Sequence, residues 1–490
     1  MGKLAKFLFS IPSLLFIGYI VLRYAQIATN SLAGDEPFSV YFAQMPLADI
    51  LRHLKPGNNP PLYELFLHFW IQLFGISELA VRIPSLLFGA GTTVVLYKIG
   101  AQFFKKEIGL LASLIFMFNN YATYFSHEAR VYALFGLLTA LSFYFFFKIL
   151  NNDERWITII WFGLLNAVLI YAHYFGIMVI GIEVVCFLLF KPIQQQSLLK
   201  YAASLGITLL LFSPYLPVVY TQFFKTKTDG TWLVAPQGWA TMEYMFIQFS
   251  NTKTLARICI GLLAFGTLLW AWKWTKTERN TKVVWLWFVL PFLGMFIVSY
   301  WVPMFHNRYL MHAFVGYNLL LSLAAFRVLP LPVARYIVPF ALLGSFIYKN
   351  TANVDNARHT REAVSKVQEL QTVDTRVVMY PKYRIFGYAY YFNQNRFKDY
   401  DREYGYYNVI EGFHEENLYA INQYSEARID SNCCDKLIFM MTDAGPKEQL
   451  LADFEQEFEL VDSFHFPEII EVYEFKRKER SESKKASNLP

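Results

Sequence analysis

Most of this chain is too apolar to carry charge without a reason, so its ionisable residues are where chemistry would lie. Two adjacent carboxylates stand in Gly34-Asp35-Glu36-Pro37, a few residues beyond the first apolar run. A carboxylate within hydrogen-bond reach of a hydroxyl can take its proton as the oxygen attacks. The plain alternative is that Asp35 caps a helix and both are ordinary interfacial acids. The stretch Tyr124-Phe125-Ser126-His127-Glu128-Ala129-Arg130-Val131-Tyr132 places His, Glu and Arg in a very short connection between two apolar runs, where ionised groups need partners. Pro303-Met304-Phe305-His306-Asn307-Arg308-Tyr309-Leu310 brings His306 and Arg308 to the mouth of a late run. A guanidinium at that depth suits bidentate recognition of a phosphate.

Two weaker signals accompany these. His173, in the tight turn Tyr171-Ala172-His173-Tyr174-Phe175, is by type an interfacial anchor before it is a ligand. Asn58-Asn59-Pro60-Pro61-Leu62-Tyr63 reads as the start of a helix, since proline fits the first helical turn. Glu183, inside an apolar run near Cys186, is read as a structural polar contact.

The elements that must position these residues follow from the apolar pattern. Of 490 residues 55% are hydrophobic and 17% charged, against a globular norm of about 25% charged, which excludes a soluble enzyme and a disordered chain. Residues 1–350 hold 26 Lys+Arg and 13 Asp+Glu, whereas residues 351–490 hold 18 and 25. The basic excess therefore belongs to the apolar part, where loop cations that set topology account for it, and no nucleic-acid partner is expected. Apolar runs near 6–26, 80–103, 108–125, 131–150, 155–172, 174–190, 200–219, 254–273, 283–302, 309–327 and 333–349 approach the roughly 20 residues a membrane span needs. The expected architecture is an all-α polytopic bundle of about eleven spans.

With alternating spans, Lys3/Lys6, Lys105/Lys106, Arg155, Lys191/Lys200, Lys273/Lys276/Arg279/Lys282 and Arg327/Arg335 fall on one side, which the positive-inside rule makes cytoplasmic, with the N-terminus. Segments 27–79 and 220–253 then face outward. The first contains an interfacial helix from Pro61 to Trp70; the second carries Thr231-Trp232 and Trp239. The larger loops place the working face outside. Residues 351–478, with strand-like runs at 376–380, 436–441, 458–461 and 469–475 and helical patterns near 358–371, 382–393 and 446–457, read as a small extracytoplasmic α/β domain, and 479–490 as a disordered polar tail. The four cysteines lack the spacing of a disulfide framework or a CxxC metal site.

Taken in order, Asp35-Glu36, Pro60-Pro61-Leu62-Tyr63, Arg82-Ile83-Pro84-Ser85, Ser126-His127-Glu128-Ala129-Arg130-Val131-Tyr132, His173-Tyr174-Phe175 and Arg308-Tyr309-Leu310 resemble the motifs of bacterial polytopic glycosyltransferases. Over about residues 1–320 the chain resembles the family 39 type of the C-superfamily, relatives of the dolichyl-phosphate-mannose protein mannosyltransferases and of the lipid A aminoarabinose transferase. Nothing of the resemblance extends to the tail. It implies an inner-membrane enzyme of the cell envelope that moves a hexose or pentose from a polyprenyl-phosphate donor to a hydroxyl of a protein, lipid or glycan acceptor, with inversion.

In that reading Asp35 is the base and Glu36 orients it or the acceptor, while Arg130 and Arg308 bind the donor phosphate. His127, Glu128, Tyr132, Asn59, Tyr63, His173 and His306 are further substrate contacts. Protein mannosyltransferases typically show His before the paired prolines, where this chain has Asn59. No cofactor is therefore assigned, and a divalent metal is left open. Two alternatives share these features: a transporter or flippase of a lipid-linked sugar, which would need no outward carboxylate pair, and a polysaccharide polymerase or ligase, whose donor would be a diphosphate lipid.

Overall fold

The computed structural model describes residues 10–479 except 33, 58, 193, 230–232, 329–333, 353, 355–358, 399–406, 431–432, 443–444, 446 and 467–469. Lys3, Lys6, Asn58, Thr231, Trp232 and the polar end from residue 480 thus lie outside the described residues. The chain divides into two compact units, one of residues 1–29 and 50–354, the other of residues 30–49 and 355–490.

The first unit is helical. All eleven apolar runs form helices in their described residues, and among the described residues six helices are long and apolar enough to cross a membrane: Glu78–Phe103, Tyr132–Leu150, Gln195–Phe224, Lys253–Trp272, Arg279–Val298 and Asn307–Arg327. Lys106–Met117 and Asn120–Ser126, expected as one span, are bent by 63° and would make a seventh. The break is chemical. Asn119 accepts the Tyr121 amide at 2.8 Å, starting the second helix, and its amide nitrogen donates to the Phe249 carbonyl at 2.7 Å. The runs at Ile11–Tyr24, Trp156–Ala172, Gly176–Phe190 and Ile337–Tyr348 form shorter helices of 14, 17, 15 and 12 residues. At about 1.5 Å per residue these fall short of a ~30 Å hydrocarbon core, so loops and caps must complete each crossing. This is the build of a multi-pass membrane protein.

Glu78–Phe103 is one organising helix, packed on Ile11–Tyr24, Lys106–Met117 and Tyr132–Leu150. Its close fit to Lys106–Met117 depends on glycine, because a Cβ on Gly100 would run into the backbone of Gly109. Pro84 lies inside the same helix and has no N–H to give; the Ala80 carbonyl one turn earlier instead accepts the Trp70 indole N–H at 2.8 Å. The second organiser, Met311–Val328, packs on Lys253–Trp272, Arg279–Val298 and Lys106–Met117. Glu183 is held as expected, accepting from Ser142 at 2.7 Å and Asn166 at 3.4 Å.

The loops sort to two ends. At one, Lys191 reaches the Ile149 carbonyl at 3.0 Å and Glu154 at 2.7 Å, and Arg279 donates to Asn151 at 3.0 Å. At the other, Tyr121 donates to the Asn307 carbonyl at 2.5 Å and Asn120 to the Lys349 carbonyl at 3.2 Å. The cation-bearing loops that the sequence puts on one side do share an end.

The second unit holds a five-stranded sheet, β1 (Thr375–Tyr380), β2 (Leu418–Ala420), β3 (Lys436–Met441), β4 (Phe458–Phe466) and β5 (Ile470–Arg477), in the order β2-β1-β3-β5-β4. β1 runs parallel to β2 and β3, and β5 antiparallel to β3 and β4. The continuous apolar run of β3 is that of a strand covered on both faces, and Phe439, Phe454, Phe458 and Phe475 form its core. Residues 30–49 join this unit: Phe38 and Tyr41, on the helix Glu36–Ala43, lie against Phe386 with ring centres 5.9 and 4.8 Å away.

Candidate functional site

In the helical unit the site is built on the connection 127–131. It follows the short helix Asn120–Ser126, whose last residue is fixed by a 2.6 Å bond between Ser126 and Tyr19. Ser85, on the first organising helix, donates to the Glu128 carbonyl at 2.6 Å and also faces the Arg130 carbonyl. The motif Arg82-Ile83-Pro84-Ser85 thereby acquires a purpose. Ser85 holds the loop, and Arg82, fully buried, donates to the Ile27 carbonyl at 3.0 Å and ties that helix to the end of the first apolar run.

So held, Arg130 is buried, and its guanidinium lies 3.6 Å from the Glu64 carboxylate, each side chain only 4% exposed. Glu64 sits in the first turn of Leu62–Phe74, directly after the buried Tyr63. The second arginine comes from 307–310, a 3-10 turn held by Tyr121; Asn307 accepts the Arg308 amide at 2.7 Å, and the Arg308 guanidinium lies over Tyr309 at 5.7 Å.

The His173 ring lies 6.3 Å from that of Tyr132 and 5.7 Å from that of Tyr309. Arg130 and Arg308 both act electrostatically on the Tyr132 hydroxyl and on the His173 ring. Burial first, then His312, Arg130 and Arg308, push His173 down to about 3. It is therefore neutral at physiological pH. Its Nδ1 accepts the Phe175 amide at 3.2 Å, which leaves the proton on Nε2. His306 is likewise held down to about 4, by burial and then by Arg308. Neither imidazole adds positive charge, so the cationic character of this cluster comes from the two arginines, partly offset by Glu64 and Glu128.

Arg130, Arg308, Tyr132, His173 and His306 are thus gathered at one end of the helical unit. Glu128 acts electrostatically on Tyr132, His127 is buried next to it in sequence, and Tyr63 adjoins Glu64, while Asn59 is half-buried ahead of that helix. Asp35 and Glu36 belong to the other unit. Asp35 occupies the N-cap position of Glu36–Ala43, yet its side chain makes no capping bond to that helix; Glu36 is buried in the first turn. Their segment is fastened by Ser31, which donates to Glu362 at 3.1 Å and accepts the Arg361 amide at 3.1 Å, and by the Leu32 amide donating to Tyr391 at 2.6 Å. Glu362 lies below its ordinary value. Burial acts against this, and bonds from the backbone, Ser31 and Arg361 overcome it.

Two residues of the site escaped the sequence reading: Glu64, and the fully buried His312, whose ring lies 5.5 Å from Phe135. An acid in an apolar helical run and a histidine four residues after Arg308 were the available signals. Among the described residues no group of three or more His, Cys, Asp or Glu side chains is arranged to hold a metal ion.

The fold defined here, a helical unit with a small α/β unit, is shared with solved structures. The chain aligns with ArnT from Cupriavidus metallidurans bound to undecaprenyl phosphate, TM-score 0.59 at 11% identity over 96% of this chain and 98% of that one. It aligns also with the Archaeoglobus fulgidus oligosaccharyltransferase AglB in complex with an inhibitory peptide and a dolichol-phosphate, TM-score 0.55 at 9% identity over 89% and 70%. Residues 58–220 match the family model described as dolichyl-phosphate-mannose-protein mannosyltransferase. No curated protein sequence matches. The resemblance to polytopic glycosyltransferases of the family 39 type, read from the ordered motifs, is borne out.

Proposed function

We propose that the chain is an inverting glycosyltransferase that moves a sugar from a polyprenyl-phosphate donor to an acceptor hydroxyl at the outer face of the inner membrane. The family match and the fold shared with proteins bound to undecaprenyl phosphate and dolichol-phosphate support a lipid-linked donor. The observation that carries the reading is the clustering of the His173 ring with Tyr132 and Tyr309, 6.3 and 5.7 Å away, where Arg130 and Arg308 both act on it electrostatically.

A phosphate monoester is a stable anion, so its departure from the anomeric carbon needs cationic stabilisation and no obligatory acid. Arg130 and Arg308 supply it, with the His173 Nε2–H as a neutral donor. Glu64 keeps the Arg130 guanidinium oriented. The acceptor hydroxyl is a poor nucleophile at neutral pH. In the proposed reaction its proton passes to Asp35 as its oxygen bonds to the anomeric carbon and the bond from that carbon to the phosphate oxygen breaks. One displacement with one base gives inversion, unlike the two-carboxylate route through a covalent intermediate. Glu36 orients the base or the acceptor.

Asp35→Asn in membranes supplied with a labelled polyprenyl-phosphate sugar tests the base. Loss of about 10²–10⁴-fold in transfer is expected; transfer at the wild-type rate would overturn the assignment.

A further inference from the structure

At the end of the helical unit that gathers the cation-bearing loops lies a cavity of about 1140 Å³ that the transfer reaction does not use. It is lined by six cations, Lys105, Lys273, Lys276, Arg279, Arg327 and Arg335, against two carboxylates, Glu107 and Glu278. None of the six forms an ion pair with a carboxylate among the described residues. Arg335 is instead stacked over Tyr336 at 4.7 Å and donates to its hydroxyl at 2.7 Å, while its Nε is buried without a hydrogen-bond partner.

The wall opposite in character is apolar: Phe265, Leu269, Leu323 and Phe326. Trp270 lines the same cavity at 4% exposure, and its indole N–H also has no hydrogen-bond partner among the described residues. A buried N–H left unpaired is costly, so such a group marks a place where an acceptor belongs.

Uncompensated cations, an orphan donor and an apolar wall in one hollow are complementary to a molecule with an anionic head and an apolar tail. We propose that this cavity binds the phosphate head of an anionic glycerophospholipid, its acyl chains against Phe265 and Phe326. Basic pockets between transmembrane helices on the cytoplasmic side take such heads. The assignment is separate from the glycosyltransferase reading. It depends on the charge-based orientation only for which leaflet supplies the lipid.

The test is native mass spectrometry of the full-length protein taken from bilayers of equal parts phosphatidylglycerol and phosphatidylcholine. The wild type should retain phosphatidylglycerol selectively. K276Q/R335Q should weaken its retention by about tenfold or more, two charge-assisted contacts being lost. W270F, which keeps the ring and removes only the N–H, should weaken it by about fivefold. Equal retention by wild type and both variants, or no preference over phosphatidylcholine, would overturn the proposal. So would displacement of the lipid by millimolar inorganic phosphate with the same dependence on the variants, which would make this a soluble-phosphate site. None of these readouts uses transfer activity, so a failed Asp35 assignment and a failed lipid site are told apart.

Discussion

The two units use the same residue types under different rules. In the helical unit several charged side chains are buried against specific partners: Arg82 to the Ile27 carbonyl, Glu183 to Ser142 and Asn166, Arg130 to Glu64. In the α/β unit they form partly exposed pairs such as Lys436–Glu474 at 2.6 Å, Lys447–Glu471 at 2.8 Å and Arg477–Glu457 at 3.2 Å. A charge removed from water must be matched by a specific partner, whereas one at the surface is already stabilised by solvent. An arginine in the first unit is therefore informative from sequence alone, and an arginine in the second is not.

The sharpest way to break this contrast is at Arg130. Arg130→Ala strips the Glu64 carboxylate of its buried counter-charge and should cost about 3–5 kcal/mol, read as thermal unfolding in detergent. R130A/E64A should recover most of it; a double variant that merely adds the two single effects would mean that the pair is uncoupled. A smaller effect is expected with pH. The His306 ring titrates near its ordinary 6.5 when unfolded and at about 4 when folded, and His173 at about 3. Between pH 6.5 and about 4 the unfolded chain binds more protons, so stability should fall with acidification, by up to about 3 kcal/mol for each imidazole. H306Q should flatten that slope, and an unchanged slope would show that other groups set it. The smallest effect belongs to the second unit, where Lys436→Gln should change its unfolding by under about 1 kcal/mol. A loss as large as that at Arg130 would erase the contrast.

Legibility followed the same division. The apolar runs, the loop cations and the pair Arg130 and Arg308 could be read because hydrocarbon makes every exception costly. The bend at Asn119 was present as two adjacent asparagines inside an apolar run, but an average over that run hides it. Glu64 was passed over because a first-turn glutamate is ordinary in a soluble helix, and only its burial against Arg130 makes it otherwise. β2, three residues long, carries too little pattern to be seen before β1 is there to pair with it. Least readable was the membership of residues 30–49 in the second unit. It is fixed by contacts of Phe38 and Tyr41 with Phe386, and by Ser31 with Glu362, more than three hundred residues along the chain.

That last contact sets a clock on the making of the protein. Ser31 and Glu362 are 331 positions apart, which at about 5–20 residues per second separates their emergence from the ribosome by roughly 15–65 s. Through that interval the segment bearing Asp35 and Glu36 has none of the helices that later fasten it. A chain interrupted before residue 360 carries both carboxylates but lacks Glu362, Phe386 and Tyr391, so the segment bearing the first-made acids of this molecule is fastened at these points only when its last-made domain folds.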